Sequence, residues 1–94
     1  MKYELTLLTN NDVSPKVIRR KMEELLPHIE EMSYDGYKRL AYPVNGYDMA
    51  HYYWYKIEIE EPITSEIIAN ELNRTEWAIR YLLVSVDGRK NNGS

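Results

Sequence analysis

The chain has 94 residues, 12 Lys+Arg against 15 Asp+Glu and a formal net charge of −3. That length holds one domain with a modest core, and 44% hydrophobic with 29% charged residues is a globular composition, not a disordered one. Zero cysteines exclude disulfides, thiolate metal sites and thiol catalysis.

Tyr3 to Thr9 reads as a strand, with Tyr3, Leu5 and Leu7 on one side and Glu4 and Thr6 on the other. Asn10-Asn11-Asp12 is a turn cluster. Ser14 as N-cap and Pro15 as first helical residue open a helix carrying Ile18, Met22, Leu25 and Leu26, which Pro27 ends. Arg19, Arg20, Lys21, Glu23 and Glu24 fill its solvent side. Ile29 to Val44 reads as a long strand with a bulge at Asp35-Gly36. Asn45-Gly46-Tyr47-Asp48 is the next loop, with Asn-Gly a favoured hairpin pair.

Met49 to Glu60 alternates most clearly, with Tyr53, Tyr55, Ile57 and Ile59 toward the core and Tyr52, Trp54, Lys56 and Glu58 opposite. Pro62 closes it. Thr64 or Ser65 caps a second helix bearing Ile67, Ile68, Glu71 and Leu72, and Ile79 to Val86 is the last strand. Residues 1–87 form the domain, and 88–94 are read as a disordered polar tail. The element order predicts an α+β, ferredoxin-like βαββαβ fold: a four-stranded antiparallel sheet with two helices on one face. The other face is left open, carrying Tyr52, Trp54 and Lys56.

Little here supports catalysis. The glycines are scattered at Gly36, Gly46, Gly88 and Gly93, so no loop cradles phosphate. His51, on the core side of its strand, reads as a packed, hydrogen-bonded residue, and His28 as a solvated one. With settings so different the two make no metal site. Glu30-Glu31 and Glu60-Glu61 read as solvated strand ends, while Glu58 is placed to pair across the sheet with a cation. The loop Thr9-Asn10-Asn11-Asp12-Val13 lacks the glycine and arginine of an acylphosphatase-like hydrolase. No enzyme, cofactor, metal or small-molecule substrate is expected. A regulatory or ligand-binding dimer on the same fold, without RNA function, is the alternative reading.

Nine tyrosines and two tryptophans, with no phenylalanine, give rings that suit half-wet surfaces. Gly36 to Asn45 interleaves Tyr37, Lys38, Arg39 and Tyr42. Cations on an exposed strand reach phosphates, and adjacent tyrosines stack on bases or ribose. A charged edge strand guarded against aggregation has the same pattern. On a regular strand Lys38 and Arg39 point to opposite faces.

At this segment the sequence resembles the bacterial small-subunit ribosomal protein six family, through Gly36, Lys38, Arg39, Leu40, Ala41, Tyr42 and Pro43, with Val44 where isoleucine is usual. Tyr3-Glu4-Leu5, Ala50-His51-Tyr52 and Ala78-Ile79-Arg80 agree in order, so the resemblance spans Tyr3 to about Val86. Tyr37 stands where members often have arginine, and the first helix is about two turns shorter. The resemblance implies a non-enzymatic component of the small ribosomal subunit that binds its ribosomal RNA together with ribosomal protein eighteen. It implies RNA contacts at Lys38, Arg39 and Arg80, then Lys2, Lys56 and Tyr42, and a partner interface at Tyr52 and Trp54. Met1 to Thr6 has no secretion signal and no apolar run nears the ~20 residues of a membrane span, so a cytoplasmic ribosome is the expected location; an organelle-encoded one would look the same.

Overall fold

The structure is a computed structural model that describes residues 1–86; the tail assigned to 88–94 lies outside the described residues. Its elements are β1 (Lys2–Thr9), α1 (Pro15–Leu25), β2 (His28–Val44), β3 (Tyr47–Glu58), α2 (Ile63–Asn73) and β4 (Ala78–Ser85). The strands form one sheet in the order β2-β3-β1-β4, with every neighbouring pair antiparallel. This is the ferredoxin-like arrangement expected from the element order.

Strand alternation decides which face the helices cover. Leu5 and Leu7 of β1 and Tyr53, Tyr55 and Ile57 of β3 share one buried cluster with Ile18 and Met22 of α1 and Ile68 and Leu72 of α2. Both helices therefore lie on the same side. Each fully buried aliphatic side chain there contributes roughly 1.5–3 kcal/mol of transfer free energy. The Tyr55 hydroxyl has no hydrogen-bond partner among the described residues, and burial pushes its pKa up to about 12.

The helix boundaries follow local chemistry. Ser14 is extended, its hydroxyl accepts from the Val17 amide, and Pro15 sits in the first turn of α1. The start of α2 differs from expectation. Pro62 already has helical dihedrals (φ −55, ψ −32) and is itself the N-cap, so neither Thr64 nor Ser65 caps the helix. Instead the Ser65 hydroxyl donates to the Pro62 carbonyl at 2.8 Å. Ile67, grouped with the apolar residues of this helix, is 55% exposed.

Strand limits also shift slightly. Tyr47 and Asp48 belong to β3, because Asn45 (φ 51) and Gly46 (φ 84) complete the turn by themselves. β3 stops at Glu58 and not Glu60, and β4 starts at Ala78 and not Ile79. The expected bulge is present: the β2–β3 register shifts between Tyr34 and Gly36, where Gly36 takes φ 100.

His51 is only 5% exposed on the helix-covered side and is fully engaged. The Asn11 carbonyl oxygen, 2.8 Å from Nε2, can only accept, so Nε2 carries the proton. Nδ1 then accepts from the Tyr34 hydroxyl at 2.7 Å. Desolvation lowers the pKa of His51, favouring the neutral ring. Unfolded chain takes up a proton near the ordinary imidazole value of 6.5, whereas the folded protein does so only at lower pH. The stabilisation is therefore complete above about pH 6.5 and is lost as pH falls through the folded value. Denaturant midpoints measured from pH 7.5 to 5 should fall more steeply for wild type than for His51→Gln, whose side chain does not titrate. Parallel profiles would remove His51 as a source of acid sensitivity.

Candidate nucleic-acid interface

The strand registers set the open face out in rungs running from β2 to β4. One rung holds Gly36, Tyr52, Leu8 and Arg80; the next Ser33, Trp54, Thr6 and Leu82; the next Glu31, Lys56, Glu4 and Val84. A last rung pairs His28, Glu58 and Lys2. One end of this face is thus aromatic and cationic, and the other is rich in carboxylates.

The aromatic end is shaped by an unequal hairpin. Between the pairs Arg39–Met49 and Val44–Tyr47, β2 has four residues where β3 has only Asp48. The excess chain bends, and Leu40 and Val44 pack with Ala50, Ile79, Leu8 and Tyr52 in a second apolar cluster. At the turn the Asn45 amide donates to the Ile79 carbonyl at 3.0 Å, linking the β2–β3 hairpin to β4. From the other side of the hairpin, the Tyr47 hydroxyl accepts from the buried Asn10 amide at 3.2 Å. Within the motif, Leu40 and Val44 face inward, while Ala41, Tyr42 and Pro43 are exposed, Tyr42 by 66%.

The candidate contact residues separate into three groups. Lys38 lies on the open face, its ammonium 5.6 Å from the centre of the Tyr52 ring, a cation–π geometry. Arg80 is exposed on the same face, and neither cation has an ion-pair partner among the described residues. Arg39 points to the opposite side, as alternation requires, with Asp48 at 3.6 Å; both groups are well exposed, so the attraction is weak. Lys2 and Lys56 stand at the acidic end and are already partnered. Lys2 binds Glu30 and Glu58, the latter at 3.1 Å, and the Glu30 hydrogen bond leads in raising its pKa. Lys56 faces Glu31 at 3.8 Å. The Met1 ammonium and then Lys2 hold the Glu58 carboxyl below its usual range.

Tyr52 and Trp54 are half-buried neighbours on β3, with Leu82, 61% exposed, beyond them toward β4. Leu40 and Val44 act through packing, which the sequence pattern did not reveal. Among the described residues, no three His, Asp or Glu side chains form a set able to hold a metal ion, and no helix is long and apolar enough to cross a membrane.

A model of the family described as ribosomal protein S6 matches residues 2–85. The chain belongs to the ribosomal protein S6 family. It is 24% identical over 90 residues to the small ribosomal subunit protein bS6 of Thermus thermophilus, covering 88% of each chain. Its fold matches the crystal structure of 30S ribosomal protein S6 from Thermotoga maritima with a TM-score of 0.78 at 15% identity, over 98% of this chain and 94% of that one. Members of the S6 family are structural, non-enzymatic components, which accords with the lack of a catalytic signature in the sequence.

If the hairpin is held by its inward pair, Leu40→Ala should lower unfolding free energy by about 2 kcal/mol or more. Tyr42→Ala should stay within about 0.5 kcal/mol of wild type. Urea unfolding of both variants checks this, and equal effects would contradict the packing role of Leu40.

Proposed function

We propose that this chain binds small-subunit ribosomal RNA through the cationic end of its open sheet face, jointly with ribosomal protein eighteen. As an S6 family protein it is a component of the small ribosomal subunit. The observation that carries the RNA reading is the arrangement of Lys38 and Arg80. Both lack carboxylate partners among the described residues, and they flank the Tyr52–Leu8 rung from opposite edges of the sheet. Three strand spacings and an offset of two residues along the strands put their backbones about 16 Å apart, with an apolar and aromatic floor between. Phosphates at either side and a base or ribose on Tyr52 fit that layout. Arg39 and Tyr42 extend it along the exposed hairpin.

The partner reading rests on charge and on unfilled apolar surface. The chain is net negative, and the far end of the open face carries Glu4, Glu30, Glu31 and Glu58. RNA is repelled there, whereas a basic protein is attracted. Trp54 and Leu82, between the two ends, and Val84, on the adjoining acidic rung, supply apolar contact area for such a partner. Lys2 and Lys56, held by carboxylates, serve this acidic end more than they serve phosphate. The location that follows is a ribosome in the cytoplasm.

Each phosphate contact contributes roughly one unit to the slope of log affinity against log salt. The combined Lys38→Gln/Arg80→Gln variant should therefore lose about two units of slope on a small-subunit RNA fragment, measured with ribosomal protein eighteen present. Lys2→Gln/Lys56→Gln should change it far less. A wild-type slope in the first variant would remove Lys38 and Arg80 from the interface.

A further inference from the structure

The cations of α1 are not neutralised as those of the acidic end are. Lys16, Arg19 and Arg20 have no ion-pair partner among the described residues, and all are exposed. They line a cleft together with Tyr34 of β2, in which Glu23 is the single carboxylate among the described residues. We propose that this flank, where α1 overhangs the β2 edge, is a second RNA-binding surface: Lys16, Arg19 and Arg20 bind phosphates, and Tyr34 and Tyr37 stack on a base or ribose. The inference rests on the reading of the chain as an RNA-binding protein, and adds a separate contact on the other side of the sheet.

The geometry supports the assignment at three points. Spacings of three and four residues bring Lys16 within about 5–6 Å of both Arg19 and Arg20 on the surface of α1. These cations follow Pro15, where the positive end of the helix dipole adds to the field. Tyr34, in the same cleft, is 41% exposed, and Tyr37, 43% exposed, lies on the same side of β2 opposite His51. Their rings lie 5.9 and 4.6 Å from the buried His51 ring. The Tyr34 hydroxyl is bound to His51, so the platform is held in place before any ligand arrives. Guanidinium groups with no ion-pair partner among the described residues, beside the exposed Tyr34 ring, match the phosphate-and-base chemistry of RNA. Tyr34 and Tyr37 pair with Tyr53 and His51 on the helix side, whereas Lys38 pairs with Ala50 on the open side. The two surfaces therefore engage two different RNA segments.

The test uses the full chain on a small-subunit RNA fragment with ribosomal protein eighteen present, with affinities measured from 50 to 300 mM KCl and backbone footprints taken in parallel. Lys16→Gln/Arg19→Gln/Arg20→Gln should lower the salt slope by up to about three. The charge-keeping variant Lys16→Arg/Arg19→Lys/Arg20→Lys should keep it. Tyr37→Leu should weaken binding at least about fivefold at fixed salt, the loss of one stacked base. The footprint lost in the triple glutamine variant should differ from that lost in Lys38→Gln/Arg80→Gln. If the triple variant keeps the wild-type slope while Lys38→Gln/Arg80→Gln loses it, the second surface is wrong and the first stands. If both variants lose the same footprint, the claim of two segments fails. If wild type shows no salt-dependent binding, both readings fall together.

Discussion

The four-against-one mismatch in the β2–β3 hairpin shapes the rest of the open face. A sheet with helices on one side leaves its other side to water, and apolar residues there need either a partner or a cover. Here the surplus residues of β2 let the hairpin bend so that Leu40 and Val44 pack onto Ala50, Ile79 and Leu8. Covering that corner places Tyr42 outside and leaves Lys38 beside the Tyr52 ring. The same bend brings Asn45 to the Ile79 carbonyl, so the edge strands β2 and β4 are connected across the end of the sheet. Without the bulge the motif would be an ordinary charged edge strand.

Charge is sorted along the strands and not spread over the surface. Carboxylates from β2 and β3 meet Lys2 and Lys56 at one end, while Lys38 and Arg80 have no carboxylate partner among the described residues at the other. Net charge is a poor guide to such a molecule. A chain at −3 presents a cationic corner because the carboxylates of its open face lie at the opposite end. The cations of α1 follow the same logic on the covered side, where Glu23 of the same helix is the one carboxylate among the described residues lining their cleft.

Much of this architecture is visible in the residues alone. The alternation from Tyr52 to Ile59 separates core from open face. Ser14-Pro15 marks the start of a helix, and Asp35-Gly36 and Asn45-Gly46 mark a bulge and a turn, each because local sterics leave few alternatives. What stayed hidden depends on register. Lys2 and Lys56 look like free cations until pairing sets Glu30, Glu31 and Glu58 beside them. Leu40 looks like a surface strand residue until the hairpin bends. Pro62 as cap of α2 was hidden for another reason: its fixed φ suits a helix as readily as a loop, and Thr64 and Ser65 gave a stronger capping signal that the chain does not use. The cations of α1 read as a solvated face because nothing local places Tyr34 beside them.

The most direct test of orientation uses the absence of native cysteine. Single Tyr42→Cys and Glu61→Cys variants can each carry a tethered iron chelate into reconstituted small subunits, where hydroxyl radicals cut nearby RNA. Position 42, on the exposed hairpin, should give strong, localised cuts in the ribosomal RNA, and position 61, beyond the carboxylate end, should give few. Strong cutting from 61 with none from 42 would mean that the chain sits on RNA the other way round, contradicting the role assigned to its cationic corner.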